Sequence, residues 1–254
     1  MTILHMDLDN TLIYSYKHDI GVNKITVELY DGREVSYMTE KTYGLLKKLR
    51  QKILLVPTST RTVEQYERID LKVGKFPYAL VCNGGILLVD GKREEGWYRE
   101  SLQMISGSFQ EMQTAQELLK ADKRRIFELR YIERLFLFTK CIEPRQVAED
   151  LKEKLDPSFV DVFHNGAKVY VVPVNLDKGT AVERFKKFIK ADKVMAAGDS
   201  GFDIPMLKAA DIGIAPFGFK EKYRIGFDVE EAGEKELLSE YALSYCNKVI
   251  RGWP

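Results

Sequence analysis

Asp7 and Asp9 are two carboxylates separated by one residue, directly after the apolar run Ile3-Leu4-His5-Met6. Like charges so close are unfavourable unless a cation or a shared proton relieves them. A second acidic pair, Asp199 and Asp203, follows another apolar run, Val194-Met195-Ala196-Ala197. Between the pairs lie Thr58-Ser59-Thr60-Arg61, at a strand-to-helix turn, and Lys178, which opens an amphipathic stretch in Asp177-Lys178-Gly179-Thr180. Carboxylates suit a hard cation such as magnesium, while a hydroxyl beside free helix amides suits a phosphate oxygen. With a lysine to offset charge, the set matches the needs of phosphoryl transfer. Each fragment also has a plainer reading. Asp-x-Asp can cap a turn, Ser59 can be an ordinary N-cap, Lys178 can be solvated, and Gly198-Asp199 can simply end a strand.

The elements that must position these residues follow from periodicity. Short apolar runs at Ile3–Met6, Ile53–Val56, Tyr78–Cys82, Lys193–Ala197 and Ile212–Ala215 read as buried strands of a parallel sheet. Helical patterns at Glu40–Gln51, Thr62–Ile69, Lys178–Ile189 and Asp203–Ala210 alternate with them, and Lys24–Tyr37 reads as a hairpin turning at Asp31-Gly32. From Ile86 the texture changes. A strand pair turns at Asp90-Gly91, a helix runs through Met112–Leu119, strands fall within Arg125–Thr139 and Val160–Val172, and a helix covers Pro144–Leu155. The expected fold is therefore α/β: a doubly wound, mostly parallel Rossmann-like sheet with an inserted α+β cap domain. The expected boundaries are 1–84 and 172–254 for the core and 85–171 for the insert. In such sheets ligands sit beyond the carboxyl ends of the strands, where Asp7, Ser59, Asn83 and Asp199 all fall.

Composition narrows the function classes. The 254 residues carry 39 Lys plus Arg against 38 Asp plus Glu. A net charge of +1 supplies no field for a nucleic-acid backbone or an anionic membrane, so neither partner is expected. Asp7 interrupts any signal-peptide apolar stretch and no later run approaches a membrane span, so the expected location is cytoplasmic. Cys82, Cys141 and Cys246 are widely spaced and read as free packing thiols.

Taken in order, Asp7-Leu8-Asp9-Asn10-Thr11, Ser59 (with Thr58 as the fallback), Lys178 and Gly198-Asp199-x-x-x-Asp203 resemble the four motifs of the haloacid dehalogenase superfamily of phosphotransferases. The insert after the second motif, preceded by Asn83-Gly84-Gly85, resembles the Cof-type capped branch. Within it, Ser59-Thr60-Arg61-Thr62-Val63-Glu64 is similar to the second motif of mannosyl-phosphoglycerate and sucrose-phosphate phosphatases. The resemblance implies a phosphatase acting on a small phosphate ester, with Asp7 as nucleophile and Asp9 as general acid and base. It also implies Ser59 and Lys178 on the phosphoryl group, and Mg2+ held by Asp7, Asp9, Asp199 and Asp203. The insert would close over the crevice, with Arg61, His164 and Asn165 as candidate substrate contacts. One departure stands out: Phe202 occupies a position where the branch usually carries Asn. A sugar phosphomutase and a non-catalytic phosphometabolite sensor remain as alternatives.

Overall fold

The computed structural model describes residues 1–250 and Gly252. Backbone contacts divide the chain into two compact units, Met1–Arg93 with Asp177–Pro254, and Glu94–Leu176. The first is built on a five-stranded sheet. Its first strand, Thr2–Met6, pairs in parallel with Lys193–Ala197 on one side and Leu54–Pro57 on the other, and Ile212–Ala215 and Glu230–Glu231 extend the first side.

Period-two alternation decides what covers each face. Leu4 and Met6, with Met195 and Ala197, join the cluster that includes Leu46 and Leu49 of the helix Glu40–Leu49 and Leu243 and Cys246 of Leu238–Val249. The intervening His5 meets Phe185 of the helix Lys178–Phe188 edge-on, with ring centroids 5.5 Å apart. Burial of Ile3, His5 and Phe185 is complete on that side. The sheet is thus doubly wound, as the apolar runs require.

The strand Tyr78–Val81 continues beyond Leu54–Pro57 through one parallel bridge, Thr58 to Leu80. The chain then reverses: Ile86–Val89 pairs antiparallel with Tyr78–Val81, and Lys92–Arg93 pairs back onto it. This is why the first unit reaches Arg93 and not residue 84 as the change of texture suggested. The second unit carries a four-stranded antiparallel sheet whose hairpin, Val160–Asn165 with Lys168–Pro173, extends it to Leu176 rather than 171. The helices Phe109–Ala121 and Pro144–Lys152 cover that sheet through Met112, Leu119, Val147 and Leu151, against Leu137, Val162 and Val171. The helix Glu95–Met104, which the sequence reading did not include, buries Trp97 and Ser101.

Asn83-Gly84 forms the seat of the Lys178 helix. Cys82 and Asn83 both adopt left-handed backbone, and Gly84 has φ +87°. A Cβ on Gly84 would lie 2.2 Å from Cβ of Ala181, one turn into the helix. Gly84→Ala therefore combines backbone strain with an overpacked contact and should cost on the order of 2–4 kcal/mol. The measurement is a lowered denaturant midpoint, and an unchanged midpoint would contradict this seating.

Candidate active site

The sheet fixes the site's floor before any side chain is considered. Asp7, one residue past its strand, still donates its amide to Ala197 O at 2.9 Å, while Thr58 N donates to Met6 O at 2.8 Å. The loop after Asp7 is wound tightly, since the amides of Thr11, Leu12 and Ile13 all donate to Leu8 O. Asn10 accepts the left-handed conformation this needs, with φ 60°. Three strand ends therefore present Asp7, Ser59 and Asp199 at one edge.

Lys178 is the first residue of its helix. Asp177 caps that helix, accepting from the amides of Gly179 at 2.7 Å and Thr180 at 2.9 Å. The Lys178 side chain is 1% exposed, and Nζ lies 2.5 Å from both Asp7 Oδ1 and Asp203 Oδ1. Burial opposes its charge, but the ion pairs with Asp203 and Asp7 outweigh that cost and hold the ammonium above its usual pKa. A cation at a helix N-terminus, buried and facing the wrong end of the dipole, persists only because both carboxylates face it.

Asp203 is held on both oxygens. Oδ1 receives Lys178, and Oδ2 accepts from Asp199 N at 3.1 Å, Ser200 N at 3.0 Å and Ser200 Oγ at 2.8 Å. The turn closes so tightly that a Cβ on Gly198 would sit 2.3 Å from Cβ of Asp203, which explains glycine before Asp199. Phe202 lies half-buried in this same turn, Gly201–Asp203. Carboxylate oxygens of Asp7, Asp199 and Asp203 come within 4.8 Å of one another. Asp199 also receives Thr11 Oγ1 at 3.5 Å. Burial first, then its like-charged neighbour Asp203, pushes Asp199 up to about 7. Burial likewise raises Asp7 well above the usual carboxylate range, against the pull of Lys178.

Asp9 lies outside this triad. Its half-exposed carboxylate is gripped by Arg61, with Nε to Oδ2 and Nη2 to Oδ1 both at 2.7 Å. Arg61 also bonds Glu28 through Nη1 at 2.8 Å and Nη2 at 2.9 Å, and Gln65 O through Nη1 at 3.2 Å. All five guanidinium donors are thereby engaged inside the chain. Ser59 is buried, and its Oγ accepts from Arg61 N at 3.2 Å. The fallback Thr58 is turned away: its hydroxyl donates to Val56 O at 3.2 Å and lies 2.9 Å from His5 Nδ1. Asn83 N and Cys82 N donate to Ser59 O at 3.0 Å and Arg61 O at 2.7 Å, so the turn before Gly84 also fixes the Ser59–Arg61 loop. His164 and Asn165 are exposed at the end of the hairpin in the second unit, opposite Val169 and Lys168. Glu28 was invisible to sequence reasoning, because strand alternation around Val27 points it outward; a register shift in the hairpin turns it in, and it is 3% exposed.

Comparison with known proteins bears on this arrangement. The family model for haloacid dehalogenase-like hydrolases matches residues 91–216. That likeness spans 126 of the 254 residues, just under half of the chain. Among solved structures, the sucrose-phosphatase from Synechocystis sp., in complex with sucrose and phosphate, aligns with a TM-score of 0.67 at 17% identity over 97% of each chain. A protein from Bacteroides thetaiotaomicron, described among phosphatases of the haloalkanoate superfamily, gives 0.57 at 17% identity over 97% of this chain and 95% of that one. A trehalose-6-phosphate phosphatase related protein gives 0.53 at 12% identity, covering 98% and 99%. No curated protein matches significantly by sequence. Among the described residues, no helix is long and apolar enough to cross a membrane.

With no cation bound, the triad of Asp7, Asp199 and Asp203 carries a stability cost with a defined sign. Asp199 holds its proton more tightly folded than unfolded, so its contribution is favourable at low pH and is lost as pH rises from about 4 to about 7. Asp199→Asn removes that loss. Its metal-free melting temperature should exceed that of the parent by a few degrees at pH 8 and equal it at pH 4, read by thermal scans in a chelator.

Proposed function

We propose that the chain is a magnesium-dependent phosphatase hydrolysing a small phosphorylated metabolite, of sugar-phosphate class, through an aspartyl-phosphate. The observation that carries this reading is Lys178 Nζ, buried and 2.5 Å from both Asp7 and Asp203, at the edge where Asp199 also arrives. The donor set fits magnesium: hard carboxylate oxygens, with Asp199 raised by burial and then by its like-charged neighbour Asp203. Asp7 and Asp199 would hold the ion, with Asp203 orienting both Lys178 and the Asp199 loop. When bound, the metal supplies positive charge against the phosphoryl oxygens.

The chain's own residues divide the rest. Lys178 ties down Oδ1 of Asp7, so the carboxylate cannot rotate freely and its other oxygen is presented for attack on phosphorus. As the Asp7–phosphorus bond forms and the ester bond breaks, Asp9 gives its proton to the departing oxygen. Asp9, now a carboxylate, takes a proton from the water that attacks the aspartyl-phosphate, and inorganic phosphate leaves. Ser59 would line the phosphoryl site from the next strand end, offering its hydroxyl to a phosphoryl oxygen. The sugar-phosphate class is supported by the sucrose-phosphatase and the trehalose-6-phosphate phosphatase related protein, which share this fold.

Turnover of p-nitrophenyl phosphate with magnesium should disappear in a chelator. It should fall by about a thousandfold or more in Asp7→Asn. Retained activity in either case excludes the mechanism, and a phosphate-release panel of sugar phosphates then tests the substrate class.

A further inference from the structure

Glu28 lies outside the sequence motifs, on the hairpin Lys24–Tyr30 with Arg33–Thr39, yet it ends at the site. The register shift that turns it inward leaves it almost fully buried. Four contacts hold it there. Ser36 Oγ donates at 2.7 Å, Arg61 donates from Nη1 and Nη2, and Arg68 Nε donates at 3.3 Å. Backbone contacts support the same point, since Asp70 N donates to Val27 O at 2.8 Å and Glu28 bridges to Ile69. These interactions hold the carboxylate ionised below the usual range against its burial.

Arg61 then has a fixed side and a working side. Its grip on Glu28 and on Gln65 O is to buried or backbone atoms, whereas its grip on Asp9 is to a carboxylate half open to solvent. We propose that Glu28 is a positioning residue for Asp9, acting through Arg61: the buried carboxylate mounts the guanidinium, and the guanidinium sets where the acid–base carboxylate sits. This rests on the reading of Asp9 as proton donor given above. When Asp9 has given its proton to the ester oxygen, both of its oxygens are carboxylate oxygens, and Arg61 receives them in the two-pronged arrangement observed. With Arg61 anchored on Glu28, Asp9 can release one oxygen to the leaving group or to water while the other stays held. Lysine cannot reproduce this, because it lacks the planar fork that joins two carboxylates.

Mispositioning a proton donor has a signature that general destabilisation lacks. Poor leaving groups need the proton and good ones do not, so the loss grows with leaving-group basicity. The test measures kcat/KM, which reports the step that breaks the ester bond, for substituted phenyl phosphates from p-nitrophenyl to p-methoxyphenyl. Glu28→Gln and Arg61→Lys, the second guarding against a fold defect in the first, are compared with Asp9→Asn. In both, the ratio of p-nitrophenyl to p-methoxyphenyl kcat/KM should rise at least about tenfold, in the same direction as in Asp9→Asn. In Glu28→Gln the p-nitrophenyl value itself should fall less than about threefold. A uniform loss across the series in Glu28→Gln and Arg61→Lys, while Asp9→Asn shows the split, overturns the mount and leaves the phosphatase reading standing. A ratio that falls would make the Arg61 grip a latch and also overturns it. An unchanged ratio in Asp9→Asn, or no turnover by the parent enzyme, overturns the acid role of Asp9 and this proposal with it.

Discussion

The core unit is organised around a buried ammonium between two carboxylates. Lys178 joins the end of the first strand through Asp7 to the turn after Lys193–Ala197 through Asp203, and its own helix covers one face of the sheet between them. Removing one partner of a buried pair leaves an uncompensated charge and costs about 3–5 kcal/mol. The site is therefore not laid onto a finished fold. The same contacts that would grip a phosphoryl group also fix how the helix meets the sheet, and Gly84 under Ala181 keeps that helix close enough for Nζ to reach both oxygens.

Charge at this edge is divided between two groups. In the first, three carboxylates face one ammonium, and burial together with like-charged neighbours raises Asp7 and Asp199. With all three ionised, the positive charge still lacking would equal that of one divalent ion, which is the physical basis of the proposed metal. In the second, Asp9 and Glu28 share Arg61 through four of its five hydrogen bonds, and Arg68 adds a second positive charge at Glu28. Asp9, though only two residues from Asp7, points its carboxylate into the second group. The Asp-x-Asp spacing across a strand end makes this separation possible: one residue stays in the ladder, and the other follows the loop wound around Leu8.

Most of the core fold was legible because its strands are short apolar runs with period-two alternation, and its helices follow capping residues such as Asp177 and Thr62. The resemblance to the hydrolase family rested on the ordered motifs. Other features were not legible. The helix Glu95–Met104 was missed, its buried positions being only Trp97 and Ser101. The unit boundaries depend on strand reversal at Asn83-Gly84, where left-handed backbone lets the chain turn back and pair with Tyr78–Val81. Glu28 depends on a register irregularity that inverts the side-chain alternation on which strand reading rests. The sequence already put Ser59 ahead of Thr58, and the structure adds that the Thr58 hydroxyl lies beside His5.

Arg61 shows how motif proximity and ligand contact part ways. Its place after Ser59 suggested a substrate contact, yet in the structure every guanidinium hydrogen already has an acceptor within the chain. A substrate anion would have to displace charge-assisted bonds worth about 1.5–3 kcal/mol each, and displacing Glu28 would leave a buried carboxylate short of its main partner. On the proposed mechanism, phosphate recognition would then fall to Lys178, Ser59 and the metal, all of which would meet features common to every phosphate ester. Such contacts hold the transferring group without distinguishing one leaving group from another. Arg61 holds Asp9 instead, and if Asp9 is the proton donor proposed above, the effect of Arg61 on selectivity would be felt through leaving-group basicity and not through leaving-group shape.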